Sequence, residues 1–168
     1  AQGIGKRVAE KMAKEKGTLV LVDRSVIVHD VAQEIASKTK MDVLSLTADL
    51  EKFAECQRVM DAAVEKFGRL DILVNSAALD PKFDPTAAEK GIAPGAFEDY
   101  PLADWQAALN VNLTGMFLTT QACVKQMIAQ GRGGRIINTS SSSGLLGNFG
   151  QINYGAAKAG IHMVTRIA

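Results

Sequence analysis

The chain has 168 residues with 47% hydrophobic content, enough for a packed core and, by length, a single domain. Lysine and arginine total 19 against 18 aspartates and glutamates, a balance that gives no electrostatic case for a nucleic-acid partner or an anionic membrane. No apolar run approaches the ~18 residues of a membrane span and no cleavable signal opens the chain, so a soluble, cytoplasmic protein is expected.

The chain begins with a glycine turn, Gly3, Ile4 and Gly5, running into a helix from Lys6 to Glu15 with apolar positions at Val8, Ala9, Met12 and Ala13. Such a turn suits an anion, because orphan amides and the helix dipole point at it and a Cβ would block close approach. Thr18 to Asp23 is a continuous apolar run ending in an acid, the pattern of a buried parallel strand. Asp23 lies eighteen residues beyond Gly5, near the spacing at which an acid meets the adenosine ribose hydroxyls. A carboxylate there repels a 2′-phosphate and favours NAD over NADP, while Arg24 beside it is the feature that serves the phosphorylated cofactor. An amphipathic helix follows over Val26 to Lys38, then a strand from Val43 to Ala48. Asp49 is a candidate N-cap for a helix from Glu51 to Phe67, which places Phe53, Cys56, Val59, Met60, Ala63 and Phe67 on one face and ends at Gly68.

Leu70 to Asn75 reads as another buried strand, completing a β-α-β-α-β alternation that implies a parallel α/β sheet. All four prolines, Pro81, Pro85, Pro94 and Pro101, fall within the twenty-one residues 81–101 that follow, and this stretch reads as an insertion on the substrate side. From Ala103 to Gln130 the pattern is one long helix, apolar nearly all round, and therefore expected to be covered by its own sheet or by another subunit. Cys56 and Cys123 fall in helical segments without a CxxC or Cys/His cluster and read as reduced, buried thiols. No metal-ligand spacing appears, and His29 and His162 read as structural.

Gly134 to Ser140 is strand-like and ends in a run of serines. Asn153 is a candidate N-cap for a helix bearing Tyr154 and Lys158, which lie four apart and so share a face near the strand end that holds Ser141. A phenol, an ammonium and a hydroxyl in that relation suit proton transfer at a carbinol oxygen while hydride passes to or from a cofactor. A free phenol ionises near pH 10, and a neighbouring ammonium favours the phenolate.

This segment resembles the active-site stretch of the short-chain dehydrogenase/reductase family, whose pattern is Ser, twelve residues, then Tyr-x-x-x-Lys. Counting back thirteen from Tyr154 selects Ser141. The resemblance extends to Gly3-Ile4-Gly5 as the end of the family's glycine motif, to Asn75-Ser76-Ala77-Ala78 where the family has Asn-Asn-Ala-Gly, and to Asn112 followed by Leu113, Thr114 and Gly115. It implies a Rossmann-like, doubly wound parallel sheet. The family's first strand and its C-terminal part are not in the sequence, so a piece cut at both ends is expected.

The resemblance also implies an oxidoreductase that interconverts a secondary alcohol or cis-diol and a ketone. Tyr154 would be the general acid/base, Lys158 would lower its pKa and hold the ribose, Ser141 would orient the substrate oxygen, and Asn112 would prop Lys158 through water. Cofactor contacts would come from Gly3, Ile4, Gly5, Asp23, Asp49, Leu50, Asn75, Ala77, Tyr154 and Lys158, with Asp49 accepting from the adenine. Ala78 puts a methyl where the family has glycine beside the cofactor ribose. The expected partners are NAD, a small alcohol, diol or ketone, and copies of the same chain in a homodimer or homotetramer.

The N-terminal half looks most like dehydrogenases of cis-dihydrodiols, and the rest like general members of the family. An NADPH-dependent carbonyl or 3-oxoacyl reductase, and a non-catalytic NAD(P)-binding or interaction protein, are the alternatives.

Overall fold

A computed structural model describes residues 2–80 and 97–168. In order, these form α1 (Gly3–Lys14), β1 (Leu19–Asp23), α2 (Ile27–Thr39), β2 (Val43–Thr47), α3 (Phe53–Phe67), β3 (Ile72–Asn75), α4 (Leu102–Leu109), a π-helical turn (Asn110–Thr114), α5 (Gly115–Ala129), β4 (Arg135–Asn138), α6 (Ser143–Leu146) and α7 (Ile152–Ile167). Contacts divide the chain into two compact units, Ala1–Ser76 with Leu118–Ile137, and Ala77–Phe117 with Asn138–Ala168. Most of the insertion expected after β3 lies outside the described residues; Pro101 is described and stands at the N-cap of α4.

In the first unit, β1 and β2 run parallel, Leu19 opposite Val43 and Asp23 opposite Thr47, with α2 as their crossover. Parallel neighbours need such a long connection, and the amphipathic run after Asp23 supplies it. Ala9 and Ala13 of α1, Leu19 of β1, and Val31 and Ile35 of α2 close into one core cluster, with Met12, Leu21, Met41 and Val43 around it. Small alanines on α1 let that helix pack closely, and Ile35 is buried almost completely. A second cluster joins Cys56 and Met60 of α3 to Ala122 and Cys123 of α5, flanked by Leu50, Val64, Leu70, Leu73 and Leu118. Gly68 ends α3 as its spacing suggests, in the left-handed region at φ 74°, its N–H bonded to Val64 O at 2.7 Å.

β3 pairs with β4, and among the described residues neither pair is extended by a further strand. Each strand therefore has one open edge. This accounts for a departure from the buried-strand pattern: only Leu19 in these strands is fully buried, while Ile72 and Ile137 are exposed. The long helix expected from Ala103 to Gln130 is interrupted by the π turn. Its apolar surface is only partly covered, leaving Leu102, Phe117 and Ile128 exposed. Among the described residues no helix is long and apolar enough to cross a membrane.

Candidate active site

The second unit holds Asn112, Ser141, Tyr154 and Lys158. β4 ends at Asn138, whose Nδ2 donates to Thr165 Oγ1 of α7 at 2.9 Å, so the strand end is fastened to the helix that carries Tyr154. Ser140 Oγ donates to the carbonyl of Lys158 at 3.0 Å. Ser141 Oγ accepts the Ser143 N–H at 3.2 Å, a serine turn that starts α6. Gly144 carries no side chain where α6 meets α7: a Cβ there would stand 2.6 Å from Ala159 N and 2.7 Å from the carbonyl carbon of Lys158.

Tyr154 and Lys158 lie side by side as their spacing requires, with Lys158 Nζ 5.4 Å from the centroid of the Tyr154 ring. Lys158 is 2% exposed, and its ammonium donates to Thr139 O at 2.8 Å. Burial pulls its pKa below the ordinary lysine value, and the negative charge of Asp80 opposes that shift. Asn112, 1% exposed, sits within the π turn and spends its amide on one backbone unit: Nδ2 donates to Leu79 O at 2.8 Å and Oδ1 accepts from Leu79 N at 2.7 Å. Asn112 thereby holds the segment after β3, and π turns recur where a helix must present a functional group.

Asn153 departs from the expected capping role. α7 starts two residues earlier than that cap would give, at Ile152 with Gln151 at the N-cap, and Asn153 lies wholly buried inside the first turn. Gln151 offers no capping bond to that turn because its amide is engaged elsewhere. Its Nε2 donates to Asp80 Oδ1 at 3.0 Å, and its Oε1 accepts from Ser143 Oγ at 3.1 Å and Asn148 Nδ2 at 2.9 Å. Sequence reasoning overlooked Asp80, Thr139 and Gln151. A glutamine three residues before the tyrosine was the available signal for the last. Ser143, Asn148, Gln151 and Ile152 also line a cleft of about 310 Å³ whose remaining wall is glycine and alanine.

The first unit holds the residues expected at the nucleotide. Gly3 opens α1 at φ +57°, with nothing within 4 Å of a Cβ built on it. A Cβ on Gly5 would come within 3.3 Å of Ser76 Oγ, and Ile4 is exposed. The first turn of α1 carries no acid, and the side chain of Gln2 makes no capping bond.

Asp23 ends β1 with its Oδ1 accepting the Ser25 N–H at 2.9 Å. Asp49 is displaced from the N-cap, which falls on Lys52. Its Oδ1 instead accepts Glu51 N–H at 3.2 Å and its Oδ2 pairs with Lys52 at 3.2 Å; these contacts, the amide first, hold its carboxyl below the usual range. Leu50 packs on the second core cluster, and Asn75 Nδ2 donates to Thr120 Oγ1 at 3.0 Å. Ala77 is exposed and begins the second unit.

A parallel strand pair joined by a crossover helix, a helix opened by glycine, and a Tyr/Lys pair on one helix face are the marks of a Rossmann-like α/β fold. The chain belongs to the short-chain dehydrogenase family, whose model matches residues 1–168. It is 44% identical over 165 residues to the 1,6-dihydroxycyclohexa-2,4-diene-1-carboxylate dehydrogenase of Pseudomonas putida, covering 98% of this chain and 55% of that protein. It is 37% identical to the 3-oxoacyl-[acyl-carrier-protein] reductase FabG of Aquifex aeolicus, over 95% of this chain and 60% of the relative. Among solved structures, a short chain dehydrogenase from Mycobacterium smegmatis superposes with a TM-score of 0.89 at 27% identity, over 99% of this chain and 65% of that one. An NAD+-bound xylitol dehydrogenase superposes with a TM-score of 0.86 at 28% identity, over 98% of this chain and 58% of its own. The chain thus spans between half and two thirds of the length of these relatives.

Proposed function

We propose that these residues serve an NAD-dependent dehydrogenase that interconverts a secondary alcohol or cis-diol and the corresponding ketone. The observation that carries the reading is the buried ammonium of Lys158, fixed by Thr139 O and 5.4 Å from the Tyr154 ring. Burying a cation is costly, and a group held at such cost beside a phenol is suited to biasing that phenol toward its anion. Tyr154 then takes the carbinol proton at its phenolate oxygen and returns it in the reverse direction. Ser141 directs the substrate oxygen with its hydroxyl. Asn112 supports the relay by fixing the backbone of residue 79.

The first unit fits a dinucleotide. Gly3 leaves open space at the start of α1, and the unacidified first turn suits a diphosphate. Asp23 offers acceptors to two ribose hydroxyls, while Ile4, Gly5, Asp49, Leu50, Asn75 and Ala77 are the further contacts proposed for the nucleotide. Bound NAD would supply the hydride acceptor. The 1,6-dihydroxycyclohexa-2,4-diene-1-carboxylate dehydrogenase relative supports a diol substrate, and the NAD+-bound neighbour supports the cofactor.

The test is Tyr154→Phe in the complete protein, assayed with NAD and a panel of secondary alcohols and cis-diols. Turnover should fall by at least about a thousandfold, since proton transfer and its electrostatic support are lost together, while NAD still quenches protein fluorescence on titration. Wild-type turnover in this variant would refute the assignment. A second reading, an NADPH-dependent 3-oxoacyl reductase, is favoured by the exposed Arg24 next to Asp23 and by the FabG relative; a preference for NADPH over NADH in the same assay would select it.

A further inference from the structure

Asn153 carries a role that neither its spacing nor the family pattern assigns. Its side chain is wholly inaccessible, and a buried amide is costly unless each end finds a partner. Here both ends do. Oδ1 accepts the N–H of Tyr154 at 2.7 Å, and Nδ2 donates to Asp104 O in the first turn of α4 at 2.9 Å.

The first N–H groups of a helix have no partner inside it, and the usual remedy is an N-cap side chain. Gln151 occupies that place without capping, because its amide is committed to Asp80, Ser143 and Asn148. The peptide N–H of Tyr154 is among these orphans, and Asn153 satisfies it. A rigid, planar amide held at one end by α4 and at the other by Tyr154 N–H fixes the backbone of residue 154. The phenol oxygen stands at the far end of its side chain, so any tilt of that backbone is magnified there.

We infer that Asn153 is a positioning residue for Tyr154: its buried amide locks the tyrosine backbone to the first turn of α4, and so sets where the phenol stands relative to Lys158. The inference rests on the proposed acid/base role of Tyr154. It makes the first turn of α4 part of the apparatus that holds the site.

The experiment compares Asn153→Ala, Asn153→Ser and Tyr154→Phe in the complete protein, reading kcat, KM for NAD and for the alcohol, the pH profile of kcat, and the Tm. For Asn153→Ala, kcat should fall about 10- to 100-fold, the range that follows a misplacement of about 1 Å. KM for NAD should stay within about twofold, and the pH profile should shift because the phenol has moved relative to its ammonium. Asn153→Ser keeps a hydroxyl that can accept the Tyr154 N–H but is too short to reach Asp104 O as well, and should lower kcat in the same direction by a few fold. A lowered Tm with kcat and pH profile unchanged in Asn153→Ala would overturn the inference, leaving a packing role only. If that variant does not fold, Asn153→Ser decides, and an unchanged kcat and pH profile there overturns it equally. Loss of turnover in Tyr154→Phe together with wild-type behaviour at residue 153 refutes the positioning role alone; turnover surviving Tyr154→Phe refutes the acid/base reading and this inference with it.

Discussion

Gly144→Ala isolates the contact on which the placement of Lys158 depends. The added Cβ would lie 2.6 Å from Ala159 N and 2.7 Å from Lys158 C, both backbone atoms, so no side chain can swing away to accommodate it. Ordinary contact begins near ~3.5 Å, so α6 and α7 must separate by almost an ångström at this point. Overpacking of this kind costs about 1–3 kcal/mol, which in a protein of this size lowers Tm by roughly 2–12 °C. The same displacement falls on the residue whose Nζ must reach Thr139 O and the Tyr154 ring, so kcat should drop about 100-fold. Gly155→Ala is the matched comparison, because its Cβ would meet Ser143 O at 3.2 Å, a contact relieved by a few tenths of an ångström. Differential scanning calorimetry and steady-state kinetics on both variants provide the check. Equal, small effects at the two glycines would refute the steric reasoning.

Burial depresses the Lys158 pKa, so the folded state gives up this proton at lower pH than the unfolded chain does. The resulting destabilisation is full below the folded pKa and fades as pH rises through it toward 10.5. Lys158→Met should therefore be inactive, with a Tm relative to wild type that is most favourable at the low-pH end of the range in which both proteins fold and declines as pH rises; a pH-independent difference would contradict this. Burial, with a smaller contribution from Cys56, pushes the Cys123 thiol up to about 12, and its Sγ lies 3.0 Å from Met60 Sδ. Iodoacetamide at pH 8 should label Cys123 only after urea unfolding, as read by intact mass; prompt labelling of the native protein would show the second core cluster to be open.

The strands and helices of the first unit were legible because apolar runs, amphipathic periods and Gly68 each have one local physical meaning. The side-by-side placement of Tyr154 and Lys158 was legible for the same reason, since four residues make about one helical turn. Asn153 was misread because capping preference describes an isolated helix end, whereas this end is met by α4. The partial exposure of Ile72 and Ile137 depends on which strands lie alongside them, a long-range fact absent from the local pattern. The hydrogen bonds of Gln151 join residues as distant as Asp80, and no spacing rule anticipates them.

The π turn at Asn110–Thr114 governs the phase of the helix that contains it. Ala108, Asn112 and Met116 recur every fourth residue and all face inward. On an unbroken α-helix such a row would roll about 40° per step, about 80° over its two steps. The wider turn absorbs part of that roll. Deleting a single residue there would restore regular winding and turn the amide of residue 112 relative to Leu79, whose backbone it holds.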